Sequence, residues 1–191
     1  MSRTQKQTPL VASLAFICAA GVVSALARPA AVDAAPAAVV AGPPWISIEY
    51  PVNPFDRTTR GAHLLVHAYY HGTPVAYPVS GTAEGVVNGE RRTMTLRFET
   101  TSRTGVYALR KQWPSEGSWT LVIGVTQGED DRGGVAQALI ELSPTGGVAS
   151  VHVPTQQHAE GAFPRRLTSQ EIETAVRAQA RRVALAGRAR S

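Results

Sequence analysis

Between residues 45 and 153, apolar and polar side chains alternate with period two in short runs that Gly, Pro, Asn and Ser interrupt. Successive side chains of a strand point to opposite faces, so this pattern commits the segment to sheets with one dry side. The clearest run is 91–100, with Met94, Leu96 and Phe98 inward and Thr95, Arg97 and Glu99 outward. Asn88 and Gly89 stand just before it, and both tolerate the positive φ of a two-residue hairpin. In 45–50, Ile46, Ile48 and Tyr50 share one face and Ser47 and Glu49 the other, and Pro51 and Pro54 end the run. In 62–70, Leu64, Val66, Ala68 and Tyr70 share a side, and the turn His71-Gly72-Thr73-Pro74 follows. Run 75–87 contains Pro78 and several Gly, which predicts a bend or break. Runs 106–112, 119–127, 135–142 and 148–153 complete the set, each separated from the next by residues with turn chemistry. The expectation is an all-β fold, a two-sheet antiparallel sandwich of about seven to eight strands. A small barrel is the other arrangement that periodicity permits.

The chain begins with Arg3 and Lys6, then an uncharged run from Leu10 to Ala27 that closes on Ala25-Leu26-Ala27. A positive end, a greasy middle and small residues at the −3 and −1 positions are the layout of a secretory signal peptide, expected over 1–27. Val32-Asp33-Ala34 offers a second cut, and a retained N-terminal anchor is the competing reading, since about 18 residues is near the lower limit for spanning hydrocarbon. Both place the domain outside the cytoplasm, periplasmic or extracellular. Cleavage removes Cys18, the one cysteine, and leaves no transmembrane segment; Ile17 before Cys18 argues against lipidation. Residues 28–43 read as an Ala/Pro-rich linker and 44–154 as the sandwich domain. Without disulfides, that domain relies on burial for its stability.

The formal charge of +5 is unevenly distributed. Residues 35–164 carry nine Arg or Lys against eleven Asp or Glu, whereas 165–191 carry seven Arg against Glu171 and Glu173. A basic tail on a folded part without a basic face excludes a nucleic-acid function for the domain. Residues 155–167 are polar with Gly161 and Pro164 and read as a second linker. Thr168-Ser169-Gln170-Glu171 then fits a capping box, which predicts a helix over 168–187 with Gly187 as its stop. Ile172, Ala175, Val176, Gln179, Val183 and Ala186 form a thin apolar stripe facing Arg177, Arg181 and Arg182. That helix is expected to be solvated, or to contact a protein partner or the anionic envelope surface. The excess of seventeen Arg over two Lys, with abundant Ala, fits a GC-rich bacterial source.

Three local patterns carry a resemblance: Gly72-Thr73-Pro74-Val75, Gly105-Val106-Tyr107-Ala108 and Gly117-Ser118-Trp119-Thr120-Leu121-Val122. They resemble the turn and the "Gly-x-Tyr" and "Gly-x-Trp-x-Leu" pair of the YtkA-like and FixH-like exported domains. The resemblance covers 62–125 and implies an immunoglobulin-like sandwich. The patterns are structural, since Gly permits the turn and the aromatic fills the space between sheets, so Trp119 and Tyr107 are expected in the core. Domains of this architecture that handle copper use His and Met; the mature chain has Met94 alone, so that chemistry is not implied.

His63, His67 and His71 share a parity along one run, and neutral imidazoles are good copper or zinc ligands. Positions four apart in a strand lie roughly 13 Å from each other, so a metal site needs one of them and a residue of a neighbouring strand, such as His152. The bland reading is polar residues on a wet sheet face. Glu129-Asp130-Asp131-Arg132-Gly133-Gly134 lacks the oxygen spacing of a calcium loop and reads as a solvated turn, and Glu49 and Asp56 are isolated. The chain contains no Gly-x-Ser-x-Gly, no His-Glu-x-x-His and no phosphate-binding glycine loop. The functional expectation is therefore a non-enzymatic exported binding or accessory module of the bacterial envelope, without a cofactor. The alternative is a metal-handling protein using His63, His67, His71 or His152.

Overall fold

The computed structural model describes residues 42–128 and 133–188. The proposed signal peptide (1–27), nearly all of the 28–43 linker and the acidic residues 129–132 lie outside the described residues. Ten strands form two antiparallel sheets that face each other, as the alternation requires. Sheet A contains β1 (Trp45–Glu49), β2 (Leu64–Tyr70), β3 (Thr73–Pro74), β6 (Glu99–Thr100) and β7 (Val106–Leu109), in the order β1-β2-β7-β6 with β3 beside β2. Sheet B contains β4 (Val79–Val87), β5 (Glu90–Thr95), β8 (Ser118–Thr126), β9 (Val135–Leu142) and β10 (Val148–His152), in the order β10-β9-β8-β4-β5. Leu64, Val66, Ala68 and Leu109 of sheet A meet Leu121, Ile123, Val125, Ala138 and Ile140 of sheet B in the core. The fold is thus an all-β sandwich with one C-terminal helix, α1 (Ser169–Arg188).

Two expected strands do not run unbroken within one sheet. Of the run 75–87, residues 79–87 form β4 in sheet B, beginning just after Pro78; the expected turn 71–74 contains β3, which closes tightly on β2 through His71 (φ 48°) and Gly72 (φ 77°) before the chain crosses to β4. Residues 91–100 divide into β5 in sheet B and β6 in sheet A. Leaving one ladder before joining the other frees a backbone donor and acceptor, which must find partners. The Gln112 side chain supplies both: its Oε1 accepts the Arg97 N–H at 3.0 Å and its Nε2 donates to the Arg97 carbonyl at 2.7 Å. Met94, Leu96 and Phe98 all pack on the core across the break, so the alternation held while the ladder did not. Asn88 (φ 52°) and Gly89 (φ 83°) make the expected hairpin.

Trp119 and Tyr107 lie in or against the core. Trp119 faces Gly85 of β4, where an added Cβ would fall 2.5 Å from its ring, so the glycine makes room for the indole. The Tyr107 hydroxyl donates to the Tyr77 carbonyl at 2.6 Å.

Residues 155–167 are not a plain linker. They form a hairpin of β11 (Thr155–His158) and β12 (Gly161–Pro164), mostly exposed, so no apolar alternation marked it. The helix begins as the capping box predicts: Thr168 Oγ1 accepts from Glu171 N–H at 3.2 Å, and Glu171 Oε2 accepts from Thr168 N–H at 2.8 Å. Arg165 adds two hydrogen bonds to the same carboxylate, at 3.0 and 2.7 Å. The helix continues to Arg188, taking in Gly187 rather than stopping before it.

α1 is docked, not solvated. Its stripe lies on the outer face of sheet B, where Ala175, Val176 and Gln179 are buried and Ala175 joins Val122 and Leu139 with Leu167 and Ile172. Beneath it, Thr93, Glu84, Thr120, Glu141 and Ser150 form one row in register across all five strands of sheet B. Thr82 and Thr93 each donate to Glu84 at 2.6 Å, and Arg91 bridges Glu84 (3.1 Å) to Glu173 of the helix (3.5 Å). At the other end Arg182 pairs with Glu141 at 2.7 Å, and Gln179 donates to the Leu142 carbonyl.

Val176→Ala opens a gap in this contact and is expected to lower stability by about 2 kcal/mol, read as a melting shift of several degrees. Arg181→Ala on the exposed side should stay within about 0.5 kcal/mol. Arg165, followed by the Thr168 N–H, holds the Glu171 carboxyl well below its ordinary value of 4.5. A carboxylate stabilised in the folded state contributes above the ordinary value and loses that contribution as pH falls toward the depressed one. Acidification should therefore loosen the first turn of α1, read from the Thr168 and Glu171 amide resonances, and Glu171→Gln should remove that pH dependence.

Candidate functional site

The outer face of sheet B is covered by α1, whereas that of sheet A is covered in part by the segment between β1 and β2, whose Val52 and Ala62 pack on Leu65, Val106 and Ala108, and is open around Trp45. The register decides what that face carries. Odd-numbered residues of β1 point away from the core, so Trp45, Ser47 and Glu49 are outward, and β2 contributes Leu65, His67 and Tyr69 beside them. Trp45 stands opposite Tyr69 and remains 42% exposed, and the two border a shallow depression with Gly72. An exposed tryptophan in a strand is more informative than scattered exposed aliphatics, because Trp is large and mostly buried in folded chains.

Polar groups continue the patch. His67 Nε2 lies 2.9 Å from Glu49 Oε2, and its ring runs nearly parallel to Tyr69, with centroids 6.2 Å apart. Arg103 reaches Glu49 at 4.0 Å and Asp56 at 3.8 Å, so the two carboxylates expected to be isolated share one guanidinium. Hydrogen bonds from the Thr58 hydroxyl and N–H, then the more distant Arg103 charge, hold the Asp56 carboxyl below its ordinary value. The face thus offers aromatic surface at Trp45 and Tyr69 next to an imidazole, two carboxylates and a guanidinium. Such a surface suits recognition, with apolar area for affinity and charges for specificity.

The four histidines do not converge. His63 lies just before β2, half-buried, edge-on to Trp113 at 5.0 Å and tilted against Tyr50 at 5.8 Å, and its Nε2 has no hydrogen-bond partner among the described residues. His67 is held by Glu49. His71 sits in the β2–β3 turn, exposed, edge-on to Tyr70 at 4.3 Å. His152 ends β10 in the other sheet and lines a groove beside α1 with Glu141 and Thr168. Shared parity along one strand put them at strand spacing, and His152 belongs to the opposite sheet. Among the described residues no three His, Cys, Asp or Glu side chains gather closely enough to hold one metal ion. No helix among them is long and apolar enough to cross a membrane.

Trp45 and Tyr69 escaped the sequence reading, although the signal was present: Trp45 shares its parity with Ser47 and Glu49, the wet side of its strand. Comparison with protein-family models, with curated proteins and with solved structures finds no match.

Burial, then the charge of Lys111, depresses the His63 imidazole below its ordinary 6.5. The folded chain holds this ring neutral, so its contribution is present above 6.5 and is lost as pH falls from there toward the depressed value. The melting temperature is expected to decline with acidification through that window, and less steeply in His63→Gln.

Proposed function

We propose that this chain is an exported, non-enzymatic binding module of the bacterial cell envelope, and that it engages a protein partner through the outer face of sheet A. The observation that carries this reading is Trp45, 42% exposed on a sheet face beside Tyr69, while the chain's own helix covers the opposite face. The signal-like N-terminus and the three turn motifs shared with YtkA-like and FixH-like exported domains support the same reading. The helix contributes differently from the way its apolar stripe suggests. That stripe packs on sheet B, so a contact of α1 with an anionic envelope surface falls to the opposite side, where Arg177 and Arg181 are exposed and Leu185 is 64% exposed. Basic residues near an anionic surface add about 1 kcal/mol each, which makes this a secondary contact.

A photo-cross-linking amino acid placed at position 45, and separately at position 177, reads the two faces in the producing cell. The expected outcome is a discrete polypeptide adduct at 45, lost when Tyr69→Ala is added, with melting unchanged within a few degrees. Adducts at 177 alone would move the partner to the helix, and adducts at neither would refute the reading.

A further inference from the structure

At one end of the sandwich the loop after β7 and the loop after β9 meet the C-terminal half of α1 around a cleft of about 200 Å³. The cleft shares no lining residue with the Trp45–Tyr69 depression and does not depend on the reading given to that face. Its walls are Trp113 and Trp119, which are 4% and 5% exposed. Lys111 stands at the rim, with its ammonium donating to Ser115 Oγ at 2.8 Å and no ion pair among the described residues. No acidic side chain lines the cleft. Hydroxyls do: Ser115, Ser118, Ser143 and Thr145. Ser143 and Thr145 satisfy each other at 2.9 Å, and Ser143 also accepts the Gly147 N–H. Ser118 differs. It is only 4% exposed, and its Oγ has no hydrogen-bond partner among the described residues.

A buried hydroxyl left without a partner costs free energy, and each such group in a folded chain calls for an explanation. Here it occurs in a cleft that also holds a cation with no counter-charge. The residue chemistry is therefore complementary to one negative charge and to several hydroxyls. The volume corresponds to roughly half a dozen waters, room for a small organic molecule and not for a chain segment. Lysine suits this role because it is a compact point charge on a flexible stem, able to meet a single oxyanion without a fixed fork geometry.

The geometry points to a binding site for a small hydroxylated carboxylate of the sugar-acid class, with Lys111 Nζ meeting the carboxylate, Ser118 Oγ hydrogen-bonding a ligand oxygen and the two indoles forming the walls. The chain has three tryptophans, and two of them line this cleft while Trp45 lies on sheet A, so the three indole N–H resonances report the two places separately. Titration with glucuronate and galacturonate, at constant ionic strength, is expected to shift the Trp113 and Trp119 indole signals to saturation and leave Trp45 unmoved. Glucose, lacking the charge, and acetate, lacking the hydroxyls, should each bind at least about tenfold more weakly. Lys111→Gln should weaken glucuronate about tenfold. Ser118→Ala should weaken it about threefold while leaving the free protein as stable or slightly more stable, because an unpartnered buried hydroxyl is removed. Absence of saturable shifts with both sugar acids overturns the assignment. So do shifts confined to Trp45, or sugar-acid binding that Lys111→Gln leaves intact.

Discussion

The central strand β8 is buried on both faces from Ser118 to Val125, and the rest of the architecture answers to that requirement. Trp119, Leu121, Ile123 and Val125 fill the sandwich, leaving Ser118, Thr120 and Val122 on the far side. A sheet face with Val122 next to Leu139 of β9 loses apolar stabilisation if it stays wet, and α1 supplies the cover. The outer face of sheet A is mixed: Leu65, Val106 and Ala108 form a small buried cluster under Val52 and Ala62 of the β1–β2 connection, beside polar groups.

The way α1 sits on sheet B also explains why a weakly apolar helix docks at all. A stripe of Ala175, Val176 and Ile172 offers modest area, and hydrophobic burial in proportion to that area gives a loose seat. Direction comes from charges. Glu84 is buried and needs donors, which it finds in Thr82, Thr93 and Arg91; Arg91 then reaches Glu173, and Glu141 at the other end of the row receives Arg182. Removing Arg91 would leave that carboxylate with two hydroxyl donors and no opposite charge beside it. The row across five strands therefore fixes the orientation of the helix, and the arginines of the tail divide into those that serve the fold and those that face outward.

Much of this was legible from local pattern. The alternation at Met94, Leu96 and Phe98, the Asn88-Gly89 turn and the Thr168–Glu171 box each follow from interactions within a few residues, and each stands in the structure. The continuous run Leu121-Val122-Ile123-Gly124-Val125 was legible too, since unbroken apolar character marks a strand covered on both sides. The expectation of one dry side per sheet passed over that signal. The hairpin at β11 and β12 was not legible, because exposed strands carry no apolar period. Pro78 marked a break in the run 75–87, but the sheet change at Arg97 was not legible: a strand that leaves one sheet for another keeps its alternation, and the break shows in where its backbone groups find partners, as Arg97 does with Gln112.

The binding surfaces divide in the same way. Sequence by itself determined the all-β class, the turns, the helix start and the wet parity of Trp45, because strand geometry and capping are local. Tertiary structure alone decided that the four histidines stay apart, that Glu49 and Asp56 share Arg103, and that Ser118 ends without a partner among the described residues beside a cleft with Lys111. Those relations join residues far apart in the chain, and they depend on sheet order and loop placement. No periodicity encodes that order, because alternation records which side of a strand is dry and not which strand lies next to it.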